Sequence, residues 1–332
     1  MRHPWRTSIA ALALLALPIL GSGARAGLPE ALSETVLPGH AAFTAATATL
    51  NEAARADCRP ETLRPSWNAA FDAWMGISHL RLGPAETDGR ALAIAFWPDP
   101  KGSGARTQAR LLEAADPALL EPERFAEVSV AARGLFALER LLYDPALASE
   151  PACALTRATA ADLARMAVEL ETDWRESFAP LMLSAGAPGN DRFLTEAEAR
   201  QALFTQLMTG LEFTADQRLG RPLGTFDRPR PERAEARLAG RSQRNVELSL
   251  AALERLALAL APDSPRTREG FERARSQAAA LDDPRFEGAA DPSRRLRIEI
   301  LQQRLHALRD QLAAEVGGAL GVSVGFNAAD GD

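Results

Sequence analysis

The residue in this chain best placed to do chemistry is a single carboxylate. In "GLFALE", Gly134 to Glu139, a glycine opens an apolar run and Glu139 closes it. On a helix, Phe136, Glu139 and Tyr143 share one stripe, beside an apolar stripe of Leu135, Leu138 and Leu142. A carboxylate at the edge of a core has to be paired, hydrogen-bonded, metal-bound or turned into a cavity, because desolvating it alone is costly. Arg133 and Arg140 are the cations nearest to it in sequence. Few other side chains offer chemistry. Beyond His3 in the N-terminal leader, His40 follows a Pro-Gly pair, His79 falls at the end of a predicted helix and His306 lies in the last one. No HExxH occurs, and "GVSVG" at 321–325 matches GxSxG in letters alone, with no strand-turn-helix around it. Without a metal-held water or an activated nucleophile, hydrolysis has no visible machinery, so no catalytic residue is expected.

The elements that must position these residues are helices. Apolar residues recur at spacings of three and four near 32–57, 62–80, 104–115, 123–143, 154–178, 195–217, 232–260, 265–281 and 293–316, filled in with Ala and Leu. Boundary chemistry agrees: Thr195 with Glu198 is a capping box, and Pro145 stops the helix that carries Glu139. The stretch "APLMLSAGAPGNDRF", rich in Pro and Gly, separates an N-terminal helical bundle, 27–185, from a C-terminal one, 190–332. The expected fold class is therefore all-α, with two four-helix-like bundles. A formal net charge of -6 over 332 residues, with no basic cluster, argues against a nucleic-acid partner.

The N-terminus reads as an export signal: Arg2, His3 and Arg6, an apolar run from Ile9 to Leu20, then the small-x-small site Ala24-Arg25-Ala26. Residues 1–26 are expected to be removed by cleavage near Ala26, leaving a periplasmic protein without a membrane span. In that oxidising compartment the two cysteines, Cys58 and Cys153, are read as a disulfide.

Several stretches together resemble the imelysin-like family. "GLFALE" is similar to its GxHxxE motif; "SWNAAFDAWMGISHLRLGP", Ser66 to Pro84, resembles its tryptophan-rich helix and Gly-Pro turn; "AIAFWPDP", Ala93 to Pro100, resembles its Trp-Pro segment. "RSQRNVELSLAALERL", from Arg241, resembles the Arg-Ser helix of the second half, and the tail "GVSVGFNAADGD" its glycine-rich, DGD-terminated end. The resemblance implies an exported two-bundle protein. It also implies a site built from Gly134, Phe136 and Glu139, with Trp97, His79, Arg241, Ser242, Asp330 and Asp332 lining a cleft between the bundles. The family carries both a peptidase name and a link to bacterial iron uptake. Where the motif has histidine this chain has Phe136, which ligates nothing, so an i, i+3 pair of metal ligands is reduced to Glu139 alone. His79 and the tail carboxylates are the candidate replacements.

The expectation is thus a non-catalytic periplasmic protein that handles a metal, iron or another divalent ion, in the inter-bundle cleft. Its partners would be a metal ion, a metal chelate or other periplasmic proteins of a metal-uptake system. The alternatives are a metallopeptidase-like enzyme and a partner-binding protein whose metal site has decayed. A surviving metal site predicts Glu139 beside a histidine or another acceptor in a concave pocket; a decayed one predicts a buried Phe136 and Glu139 paired with an arginine.

Overall fold

A computed structural model describes residues 27–147 and 149–322. Residues 1–26, the expected leader, and the tail carboxylates Asp330 and Asp332 lie outside the described residues. The principal helices are α1 (Leu37–Ala56), α2 (Pro60–Met75), α3 (Ser103–Ala114), α4 (Gly134–Tyr143), α5 (Glu150–Asp173), α6 (Glu196–Phe213), α7 (Ser242–Leu260), α8 (Pro265–Ala279) and α9 (Pro292–Leu312). No strand occurs among the described residues; the one extended pairing is an isolated bridge between Thr225 and Arg228. The all-α expectation is met.

In the first half, α1 packs on α2 and α5, and α4 closes over α2 and α5. In the second, α6, α7, α8 and α9 pack around one another. The halves are joined by more than a linker, since α7 also packs on α2 and the short helix Leu28–Ala31 crosses to α7. One continuous apolar core runs through both, from Leu28 to Leu320, with a small satellite around Phe125, Leu141 and Leu155.

Local chemistry explains the boundaries. The Thr195 hydroxyl accepts the Glu198 N–H at 3.2 Å while the Glu198 carboxylate accepts the Leu194 N–H at 2.7 Å, a reciprocal cap on α6. Asp291 caps α9 through the N–H groups of Ser293 and Arg294. The Cys58–Cys153 disulfide is formed and fastens the α1–α2 connection to the first turn of α5. Helices α5, α6 and α9 each run on into a π-helical turn, at Trp174–Phe178, Thr214–Leu219 and Ala313–Gly317.

Three predicted helices differ. The second ends at Met75, so His79 sits in the turn that follows rather than on the helix. The stretch 123–143 breaks after Ala126 and resumes as α4 only at Gly134, whose φ of +70° is left-handed. Residues 232–241, read as the start of a long helix, form a loop, with Ala236 at φ +47° and Gly240 at φ +67°. Its turn is closed by the Arg241 N–H donating to the Ala236 carbonyl at 3.0 Å.

Candidate functional site

The site begins with the glycine. A Cβ on Gly134 would lie 2.2 Å from the carbonyl oxygens of both Ala93 and Ile94. Only glycine lets the 93–97 segment lie flat on the start of α4, and this contact brings Trp97 beside that helix. Two residues on, Phe136 is buried and meets Phe71 of α2 edge to face, ring centroids 5.4 Å apart.

Glu139, 5% exposed, reaches across to the other half of the molecule. Its Oε1 accepts the Ala239 backbone N–H at 3.0 Å. Burial pushes its carboxyl pKa up to about 7; the nearby Glu235 adds to the rise, and the N–H groups of Ala239 and Leu238 and the charge of Arg140 oppose it. Neither sequence-adjacent arginine is its partner. Arg133 holds Asp162 through two hydrogen bonds of 2.8 and 3.0 Å, and Arg140 binds Gln108 and the Ala131 carbonyl.

The loop that supplies the Ala239 N–H is itself anchored. The Arg241 guanidinium donates to the Asn68 side chain and to Asp72, and lies 4.8 Å from the centroid of the Phe71 ring. Ser242 opens α7 with its N–H on the Pro284 carbonyl at 2.9 Å, its own hydroxyl buried without a partner. Beneath the loop, Glu235 forms a buried ion pair with Arg218 at 2.8 Å, completed by Asn245, Thr214 and Ser249. Arg241 and Ser242 therefore hold up the site and do not line it.

Above Glu139 opens a cavity of about 350 Å³. Trp97, Phe136, Glu139 and Arg140 line it together with Arg221, beside the Trp97 ring, and the loop residues 232–234 and 236–238. The structure thus places Trp97, Phe136 and Glu139 on one cavity and adds Arg221, Arg233 and Arg237, which the sequence reading did not single out.

The histidines are elsewhere. His79 is wholly buried against a separate cavity of about 190 Å³ lined by Glu34, Gly76 and Arg255, its Nδ1 unpartnered. Burial pushes its pKa down to about 3, with Arg218 and Arg255 acting in the same direction. His40 Nδ1 bonds the Val36 carbonyl at 2.7 Å, its ring 5.1 Å from that of Trp174. His306 is half exposed beside Asp216. None lines the Glu139 cavity, and no group of three or more His, Cys, Asp or Glu among the described residues is placed to hold a metal ion.

The imelysin (Peptidase_M75) family model matches residues 36–312, spanning both halves and the cavity between them. The chain belongs to the imelysin family. It is 23% identical over 317 residues to iron-regulated protein A of Synechococcus elongatus, covering 86% of this chain and 83% of that one. Its fold is that of the imelysin-like protein of Psychrobacter arcticum, with a TM-score of 0.75 at 20% identity, covering 90% of this chain and 96% of that one. A structure from Parabacteroides distasonis, described as an iron-regulated protein A precursor, superposes with a TM-score of 0.72 at 11% identity, covering 88% and 94%.

Among the described residues of this imelysin-family chain, the motif position does not fit a bare metal ion. Phe136 is locked against Phe71, and Glu139 uses one oxygen on a backbone N–H and holds its proton up to neutral pH. The same lining carries Arg221, Arg233 and Arg237, which repel a cation.

Proposed function

We propose that this imelysin-family protein is an exported, non-catalytic binding protein of periplasmic metal handling, with iron the first candidate. It takes its metal as a chelate already wrapped in anionic ligands, in the cavity between Glu139 and the 232–241 loop. The observation that carries the reading is the charge of that cavity: four arginines outnumber the carboxylates of Asp99 and Glu232, and the third acid, the buried Glu139, is half protonated near pH 7. Such a lining attracts an anionic complex and rejects a free divalent ion. The iron assignment draws on the names of its relatives, two of them iron-regulated protein A sequences.

The same geometry weighs on the alternatives. A peptidase needs an activated water or nucleophile, and the side chains lining the cavity offer neither a ligand set nor a base-nucleophile pair. A partner-binding protein with a decayed metal site is favoured by one feature, the packing of Phe136 on Phe71. The arginine-rich cavity that persists beside it favours a small anionic cargo instead.

Equilibrium dialysis of the purified protein against radiolabelled iron(III) citrate, with citrate in excess, tests the proposal. Retention of iron and citrate together is the expected result. Equal iron concentrations on the two sides of the membrane would contradict it.

A further inference from the structure

The charges lining the cavity are mostly committed. Asp99 accepts the N–H groups of Ser103 and Gly104 at the start of α3, at 2.9 and 2.8 Å. Glu232 pairs with Arg230 and Arg237 with Glu287, both at 3.4 Å. Arg140 is spent on Gln108 and the Ala131 carbonyl, and Glu139 on the Ala239 N–H. Two cations are left without an acceptor among the described residues, Arg221 and Arg233. Part of Arg221 is sunk in the wall, its Nε buried and unpartnered, and its guanidinium stands 6.0 Å from the centroid of the Trp97 indole. Burial and the like charge of Arg233 both push the Arg221 pKa down.

Two guanidinium groups that line one cavity without a protein acceptor can donate together to a single oxyanion, through fork geometries that match a carboxylate. The rest of the lining defines what else that anion carries. Trp97, Pro98, Pro100 and Phe136 add apolar surface to the same lining, the Arg221 guanidinium lying beside the Trp97 ring. A phosphate or sulfate wants donors on every side, whereas this cavity mixes its donors with ring and proline faces.

We infer that Arg221 and Arg233 are the oxyanion-binding pair of this pocket, and that its ligand is a small polycarboxylate whose carbon skeleton lies against Trp97. This deepens the proposed function, on which it rests for the ligand's role: the polycarboxylate is the donor shell of the metal complex. The free acid and its metal complex present the same carboxylates, so the test has to separate them.

Calorimetric titrations of the purified protein with citrate, iron(III) citrate and inorganic phosphate, repeated on Arg221→Ala and Arg233→Ala, do so. Far-UV circular dichroism melts serve as the folding control, and Arg268→Ala, exposed on α8 and remote from the cavity, serves as the charge control. Citrate and its iron complex should both bind, each cavity substitution weakening them about tenfold or more while Arg268→Ala leaves them unchanged. Phosphate should bind at least about tenfold more weakly than citrate.

Iron(III) citrate that binds equally well to the wild type and to both folded cavity variants overturns this inference and leaves the metal-handling reading standing. Citrate that binds through the two arginines while its iron complex is refused upholds the pair and overturns that reading. Phosphate as tight as citrate, or no binding of citrate in either form, overturns the polycarboxylate assignment.

Discussion

Glu139 keeps its proton longer in the folded chain than in the unfolded one, since its pKa rises from 4.5 to about 7. Between those values the folded state binds more protons, so stability falls as pH rises through that window and the penalty is complete above about pH 7. The shift corresponds to roughly 3 kcal/mol as an order of magnitude. Glu139→Gln keeps an oxygen for the Ala239 N–H and cannot ionise. Its melting temperature should exceed that of the wild type at pH 8 and approach it at pH 5; parallel melting curves across that range would show that the carboxyl is not desolvated. The sequence placed this carboxylate at a core edge correctly because helical periodicity decides which face a residue occupies. It did not show the partner, a backbone N–H a hundred residues further along the chain, because such contacts leave no local pattern. Arg133 and Arg140 looked available only because their acceptors, Asp162 and Gln108, are also distant.

Helix α4 is placed by one glycine. Gly134→Ala would put a Cβ 2.2 Å from two carbonyl oxygens at a left-handed φ, so the variant should lose at least about 2 kcal/mol of stability in urea unfolding and displace Trp97. A loss below about 0.5 kcal/mol would show that the 93–97 segment yields freely, which α4 docking as described does not allow. The 232–241 loop is the other element on which the site depends. Its Ala, Glu and Arg content satisfied a helical pattern, and the reading failed because tertiary bonds, Arg241 to Asn68 and Asp72 and Glu235 to Arg218, hold it open. Glu235→Ala strands the Arg218 charge in the interior, and a destabilisation of about 3–5 kcal/mol is expected in the same unfolding measurement. The first helices, the α6 cap and the stop after Tyr143 were legible because caps and prolines act within a few residues.

Across the whole molecule, the shared core and the Cys58–Cys153 bridge, 95 residues apart in sequence, hold the first half as a frame against which the loop of the second half closes the cavity. Replacing both cysteines by alanine should lower stability by at most about 4–5 kcal/mol, the chain-entropy value for a loop of that length. Iron(III) citrate binding should survive at temperatures where the variant remains folded, because no cavity residue touches the bridge. The all-α class followed from periodicity, whereas the merging of two bundles through one core did not, since packing between α2 and α7 depends on surfaces that periodicity leaves equivalent. On the proposed function, the cavity between the two halves receives an anionic complex and not a bare ion. The most direct measurement is a calorimetric titration of the wild type and Phe136→His with ferrous and zinc ions and with iron(III) citrate. The wild type should bind the citrate complex and neither bare ion, and only Phe136→His, which restores an imidazole three residues before Glu139, should gain affinity for bare zinc. Micromolar or tighter binding of a bare ion by the wild type, abolished by Glu139→Gln, would contradict the account.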